Sequence, residues 1–132
     1  MYNSNVDTVA LIEEFNTVFT GSIDDKVFQY DLHTGKILKV YKHLGLCGIS
    51  ACGYFKNILF LGGNNFYIKA IDIFRRKICN IEIKTAVKKI KSIEICSIAD
   101  IPSKKNYLVV IGQSNFYSDF QTDIFEISFL FE

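Results

Sequence analysis

The chain has 132 residues, of which 49% are apolar and 14% aromatic, and its formal net charge is +1. This length can bury one ordinary core, so we expect one domain spanning residues 1–132. The composition is too apolar for a disordered chain. No secretory signal is visible, and no apolar run approaches the roughly 18 residues that cross a bilayer. We therefore expect no membrane association and a cytoplasmic location, with the nucleus left open.

The first third of the chain predicts four short antiparallel strands. A tight acidic turn at 23–25 joins the second and third, and a turn at 33–36 joins the third and fourth. Gly21 allows close backbone approach, and Gly35 can take positive φ in its hairpin turn. The predicted strands are Val6–Ile12, Thr17–Ser22, Lys26–Leu32 and Ile37–Tyr41.

The middle of the chain repeats this order. Asn57 and Arg75-Arg76 mark its turns, and Gly63-Asn64-Asn65 replaces the acidic turn. Ile58–Gly62 has an almost continuous apolar character, which is typical of a buried strand. The predicted strands are Cys47–Tyr54, Ile58–Gly62, Phe66–Ile73 and Lys77–Ile83.

The last third is less regular. Residues 86–98 fit either a helical face or a strand, and the density of isoleucine favours a strand over Ser92–Ile98. Ala99–Asn106 contains the only proline and is predicted to be an exposed loop, and Gln113–Thr122 a longer one. The remaining predicted strands are Tyr107–Gly112 and Asp123–Phe131.

A repeat of 41 residues underlies this order. Gly21 stands ten residues before Asp31, and Gly62 stands ten before Asp72. Four strands per unit at a period of about 40 residues are the mark of a propeller blade. We therefore predict an all-β fold: an incomplete β-propeller of about three four-stranded antiparallel blades, in units of about 6–42, 43–84 and 85–132.

The motifs resemble the WD-repeat β-propeller family over nearly the whole chain. Gly21-Ser22, Asp24 and Tyr30-Asp31 stand where that family has its Gly-Ser, turn Asp and Trp-Asp. Gly62-Gly63, Asn65 and Ile71-Asp72 take those places in the second unit, and Gly112-Gln113 and Phe125-Glu126 in the third. His43 matches the histidine at the repeat boundary. The departures are that no tryptophan is present and that the third unit lacks a fourth strand; another repeat propeller, a sandwich or a barrel stays open.

The resemblance implies a structural role for a set of polar residues, not a catalytic one. In the family, the histidine, the turn aspartate and the strand residues form a hydrogen-bond network within each blade. The resemblance therefore assigns a structural blade network to Ser22, Asp24, Tyr30, Asp31, His43 and Asp72.

No convincing catalytic or metal-binding set is visible. His33 and His43 have no nucleophile in a recognisable setting, and Asp24-Asp25 is explained by its turn. Tetrahedral zinc sites place a cysteine pair two to four residues apart with a second pair beyond, and this spacing is not met. We expect no enzyme activity, no cofactor and no small-molecule substrate, and we expect reduced, buried thiols at Cys47, Cys52, Cys79 and Cys96.

Basic residues cluster in the middle of the chain, while both ends are acidic. Such a cluster could attract RNA phosphates or an acidic protein surface, although solvated turns and outer-strand faces are the favoured explanation. The candidate basic patch comprises Arg75, Arg76, Lys77, Lys84, Lys88, Lys89 and Lys91.

The function that the sequence predicts is a non-catalytic scaffold for protein–protein interaction. Fewer than three complete blades cannot close a propeller ring, which takes about four to eight. The chain is therefore expected to be a fragment, or to be completed by a partner such as the remaining blades or a second copy. The alternatives are a β-domain that binds RNA or an acidic partner through the basic middle, and an enzyme completed by another chain. The predicted core is Val18, Phe19, Val27, Leu59, Phe60, Ile68, Ile71, Val109, Val110 and Ile124.

Overall fold

The computed structural model describes residues 6–98, 105–113 and 120–127. Within these ranges lie eleven β-strands and one turn of 3₁₀ helix over Glu13–Phe15. Valine, isoleucine, phenylalanine and tyrosine dominate the strands, because these side chains fit a pleated, half-buried surface. The strands are β1 (Val6–Ile12), β2 (Thr17–Ser22), β3 (Val27–Asp31), β4 (Ile37–Tyr41), β5 (Ala51–Phe55), β6 (Ile58–Gly62), β7 (Tyr67–Asp72), β8 (Lys77–Lys84), β9 (Lys89–Ile98), β10 (Lys105–Gln113) and β11 (Phe120–Glu126).

The strands form three antiparallel sheets, each made of strands that are consecutive in the chain. The first sheet has the order β1-β2-β3-β4, the second β5-β6-β7-β8, and the third β9-β10-β11. The three sheets stand face to face in a row. This arrangement confirms the predicted all-β class and the open, incomplete ring of blade-like sheets.

Four strands have boundaries that differ clearly from the prediction. β5 begins at Ala51, because Cys47 and Gly48 have positive φ values of 55° and 96° and turn the chain. β9 begins at Lys89, so the ambiguous segment is a strand for most of its length. β10 and β11 both extend into the predicted loop at 113–122. Most of the predicted Pro102 loop and the last predicted residues, 128–131, lie outside the described ranges.

The second sheet lies between the other two and is covered on both faces. All five residues of β6 are buried, as the apolar run predicted. One core, between the first and second sheets, includes Phe19, Leu59 and Ile71. The other, between the second and third sheets, includes Phe60 and Val110. The alternation of side chains along β6 supplies both cores from one strand.

The first core contains one buried polar pair. The Tyr41 hydroxyl donates a 2.7 Å hydrogen bond to Gln29 Oε1, and both side chains are buried. Burial raises the pKa of the Tyr41 hydroxyl, so the phenol stays neutral and remains a donor. The Tyr41 ring also lies against Phe19, with ring centroids 6.4 Å apart. The hydrogen bond satisfies groups that would otherwise be costly to bury.

The core prediction is confirmed for seven of its ten residues. Val18 and Val109 are only half-buried, because each faces away from the second sheet. The prediction is wrong for Ile124, whose side chain is 61% exposed on β11. It pairs with Val109 and points to the face of the third sheet that carries no described neighbour. The seven confirmed residues are Phe19, Val27, Leu59, Phe60, Ile68, Ile71 and Val110.

Among the described residues, no helix has both the length and the apolar character that a membrane span requires.

Candidate functional site

The junctions between sheets repeat with the period of the sequence. The Ile49 amide donates to the Ser22 carbonyl at 2.9 Å, and the Ile90 amide donates to the Gly63 carbonyl at 2.9 Å. Each bond joins the end of one sheet's second strand to the segment that leads into the next sheet. Both isoleucine side chains are fully buried. The first and second junctions therefore have the same construction.

Glycine makes this construction possible. A Cβ atom at Gly21 would lie 2.5 Å from Ile49 Cγ2, and one at Gly62 would lie 2.8 Å from Ile90 Cδ1. Both distances are shorter than side chains tolerate, so each glycine receives the isoleucine of the following unit. The sequence predicted a close approach at Gly21, and the structure shows which side chain makes it.

A third repeated feature was missed in the sequence. The carbonyls of Asn16, Asn57 and Asn106 accept hydrogen bonds of 3.0, 2.7 and 2.8 Å from the amides of Leu32, Ile73 and Ile127. The shared bond aligns the three sheets residue by residue. Five residues after Asn16 and Asn57 stand Gly21 and Gly62, and five residues after Asn106 stands Ile111, not Gly112. The predicted alignment of Gly112-Gln113 with Gly21-Ser22 is therefore wrong by one residue.

The acidic turn also links two sheets. Asp25 accepts hydrogen bonds from the amides of Gly45 at 2.7 Å and Leu46 at 2.9 Å, in the segment that connects β4 to β5. Asn65 donates to the Gly45 carbonyl from the other side. The sequence explains Asp25 as a turn residue only, and no local sequence signal points to its contact with the connection between β4 and β5.

The structure places four members of the predicted blade network in three separate locations. Ser22 donates to Asp24, whose carboxylate also lies 3.7 Å from the Lys26 ammonium. Tyr30 stacks on Phe28 on the outer face of the first sheet, with centroids 6.2 Å apart. His43 is exposed and has a φ of 57° in the connection between β4 and β5.

The two remaining members, Asp31 and Asp72, cap hairpin turns. Asp31 Oδ1 accepts 2.9 Å hydrogen bonds from the amides of His33 and Thr34. Asp72 Oδ1 accepts a 3.0 Å bond from the amide of Arg75 in the second sheet. The pKa of Asp31 is lowered, mainly because the Thr34 amide donates a hydrogen bond to its carboxylate. The His33 amide and the side chains of Thr34 and Asn16 lower the pKa further, and together these hydrogen bonds outweigh desolvation, which raises it. The caps organise turns and show no geometry for chemistry.

The candidate basic patch is not one surface. Arg75 and Arg76 lie in the turn before β8, next to Lys77 at its first residue, whereas Lys84 is its last. The seven residue steps from Lys77 to Lys84 span about 23 Å. Lys89 and Lys91 lie beyond Lys84 in the chain and are exposed, and Lys88 is half-buried. The structure therefore does not bring the seven cations together.

Lys89 and Lys91 instead line a groove with a volume of about 530 Å³. The groove lies over the two junctions, beside Gly48 and Ser50. Asp7 is also exposed at its wall, so the charge there is mixed. No group of three metal-ligating side chains occurs there or elsewhere in the described part of the chain.

The cysteines are not all buried. Cys47, Cys52 and Cys79 are free, but Cys47 is exposed in the groove and the other two are half-buried. Burial raises the pKa of the Cys52 and Cys79 thiols, which favours the unreactive protonated form. The prediction of buried thiols is thus wrong for Cys47, because the turn that starts there points it outward. The side chain of Cys96 lies outside the described set.

The most extensive unusual feature is a pair of open sheet faces. The first open face, on the side of the first sheet away from the second, includes Val9 and Leu11, which are 60% and 50% exposed. The third open face is the side of the third sheet that points away from the second sheet. The first includes Val9, Leu11, Val18, Thr20, Phe28, Tyr30, Ile37 and Val40, and the third includes Ser92, Glu94, Tyr107, Val109, Ile111, Thr122, Ile124 and Glu126.

Comparison with solved structures supports this geometry. The crystal structure of Saccharomyces cerevisiae Sqt1 superimposes with a TM-score of 0.76 at 9% identity, covering 93% of this chain and 31% of that one. The WD40 β-propeller domain of Doa1 gives 0.65 at 15% identity, over 83% and 34%. The structure of U3-55K gives 0.68 at 9% identity, over 93% and 40%.

The chain thus has the fold of a partial WD-repeat propeller, as the resemblance implied. It spans only about a third of the length of these solved chains. No protein-family model and no curated protein sequence matches it.

Proposed function

We propose that the chain is a non-catalytic scaffold for protein–protein interaction, and that its open sheet faces contact the partner. The observation that carries this proposal is the exposure of Val9 and Leu11 on the first open face. A flat antiparallel sheet with exposed apolar side chains associates with protein surfaces, because burial removes apolar area from water. The partner is a protein, either the remaining blades of a longer propeller or another polypeptide.

The same geometry weakens the nucleic-acid alternative. RNA-binding β-sheets combine exposed aromatic side chains with a continuous basic surface. Here the cations of β8 stand at its two ends, and Tyr30 stacks on its neighbour Phe28 rather than standing free. We also place the protein in a reducing compartment, the cytoplasm or nucleus, because Cys47 is an exposed free thiol.

Hydrophobic-dye fluorescence on the whole chain tests the scaffold proposal. The double variant Val9→Lys and Leu11→Lys should lower the dye binding of the wild type. Phe74→Lys is the matched control: Phe74 is exposed in the turn between β7 and β8, outside both open faces. A wild type that binds no dye, or whose dye binding falls equally in both variants, would contradict the proposal.

A further inference from the structure

The two open faces are not equivalent, and the difference concerns what each could pack against. The two junctions inside the chain provide the reference. In each, one sheet presents a receiving glycine, Gly21 or Gly62, and the next unit inserts an isoleucine, Ile49 or Ile90. The inserting position in the first unit is Val6, which pairs with Ser22 as Ile90 pairs with Gly112.

The first open face retains the features of a sheet that a preceding sheet covers. Val18 corresponds to Leu59 and Leu108, which are both fully buried against the sheet before them. Val6 is 43% exposed and has no receiving glycine among the described residues. This face therefore has an apolar surface and an inserting residue, and it lacks only the sheet that would receive them.

The third open face has lost the features of a sheet that a following sheet covers. Ile111 stands where Gly21 and Gly62 receive the next isoleucine, so its side chain occupies that space. Glu94 pairs with Val109 and stands where the second sheet has Gly53, whose Cβ atom would lie 2.5 Å from the Ile93 carbonyl oxygen. A carboxylate there would meet the backbone oxygen of a following sheet, which is repulsive and unsolvated.

We propose that the first open face is the docking site for a blade-like β-sheet of another polypeptide. The docking sheet must carry small residues, glycine or alanine, at the positions of Gly62 and Gly53. A second copy of this chain does not meet that requirement, because its available face carries Ile111 and Glu94. This inference rests on the proposed scaffold function and specifies its partner surface.

The test uses the chain's own second unit as the docking sheet. Residues 43–84 are repeated ahead of Met1 in the full chain, so that the added copy presents its Gly62 and Gly53 to the first open face. Val18→Cys places a thiol on that face, and alkylation at this position is followed by mass spectrometry. The added copy should slow alkylation by about tenfold or more, since labelling then requires local opening.

The matched control gives the added copy the residues of the third open face. It is the same extended chain with Gly62→Ile and Gly53→Glu in the added copy only, where both positions point at the docking interface. Alkylation at Val18→Cys should return to the rate of the unextended chain, while circular dichroism shows that the strand content is retained. Equal protection by the control would overturn the proposal, because small residues would then not be what the face requires.

Two further outcomes separate this inference from the scaffold function. Protection of Val18→Cys that increases with the concentration of the unextended chain would mean that a second copy covers the face, which overturns the docking proposal. Reactivity unchanged in the extended chain would overturn it as well. If lysines at Val9 and Leu11 nevertheless lower the dye binding, the scaffold function stands and only the docking sheet is wrongly identified.

Discussion

β6 and β2 occupy the same place in consecutive sheets, but they differ in what covers them. Leu59 of β6 packs fully against the first sheet, whereas its counterpart Val18 of β2 is half-exposed. Both residues are apolar, so the difference in burial does not come from the strand's own sequence. It comes from the neighbouring sheet, which among the described residues is present in one case and not in the other. An apolar residue at such a position therefore indicates where a sheet can pack.

The third sheet shows the opposite relation. Ile111 and Glu94 replace the small residues through which the first two sheets admit a neighbour. The outer sheets are thus both open, but only the first has the surface of a sheet that normally packs against another. The following predictions test this contrast between covered and open sheets, from the largest expected effect to the smallest.

Phe60→Ala should show the largest loss of stability. Phe60 is fully buried between the second and third sheets, so removing its ring should lower the free energy of unfolding by about 3–5 kcal/mol. Val109→Ala, at the equivalent position of the third sheet, should cost about 1 kcal/mol, because it faces the open side. Urea unfolding measures both. A Phe60→Ala loss below about 1 kcal/mol would show that β6 is not covered on this face.

Gly62→Ala should cost about 1–3 kcal/mol, because the new methyl group would overlap the side chain of Ile90. At the equivalent position of the third sheet, Ile111→Ala should change the free energy of unfolding by less than about 1 kcal/mol. Ile90→Val removes the Cδ1 atom, which lies 2.8 Å from the place that the new methyl group would take. It should therefore rescue part of the Gly62→Ala loss in a double-mutant cycle. Additive effects would argue against the contact.

Much of this fold could be predicted from the sequence because its period and its turns are local signals. β1, β2, β4 and β6 begin and end at the predicted residues. The exposure of Ile124 could not be predicted, since it depends on whether another sheet covers β11. The misalignment of Gly112 has a similar origin: the glycine signal is local, but its meaning depends on hydrogen bonds to distant segments.

The polar sites were predictable only in part. Asp31 and Asp72 follow the sequence period and cap equivalent turns, so the repeat was a sufficient guide. Asp25 contacts the amides of Gly45 and Leu46, about twenty residues away, and spacing alone does not show such contacts. The division of the basic residues between the two ends of β8 likewise became clear only when the strand's length and direction were known.

Turn caps, unlike sheet faces, should be insensitive to whether a sheet is covered. The pKa of Asp31 lies below its ordinary value of 3.8, because the Thr34 amide stabilises the carboxylate. Its contribution to stability should therefore be complete above about pH 4 and be lost as the pH falls through the lowered pKa. The difference in urea midpoint between wild type and Asp31→Asn should be constant from pH 7 to pH 5 and shrink below pH 4. A difference in urea midpoint that grows below pH 4 would contradict the lowered pKa of Asp31.

Ile124→Ala should have the smallest effect on the isolated chain. The side chain is 61% exposed, so its removal should change the free energy of unfolding by less than about 0.5 kcal/mol. Ile68→Ala is the buried comparison: Ile68 is fully buried in the second sheet, and the variant should lose about 2–5 kcal/mol. If Ile124→Ala proved as costly as Ile68→Ala, some part of the chain outside the described residues would have to cover the third open face. Because that face carries Ile111 and Glu94, the covering segment could not pack on it as the second sheet packs on the first. The third face would then no longer be open, and only Val6 and Val18 would distinguish the first open face from it.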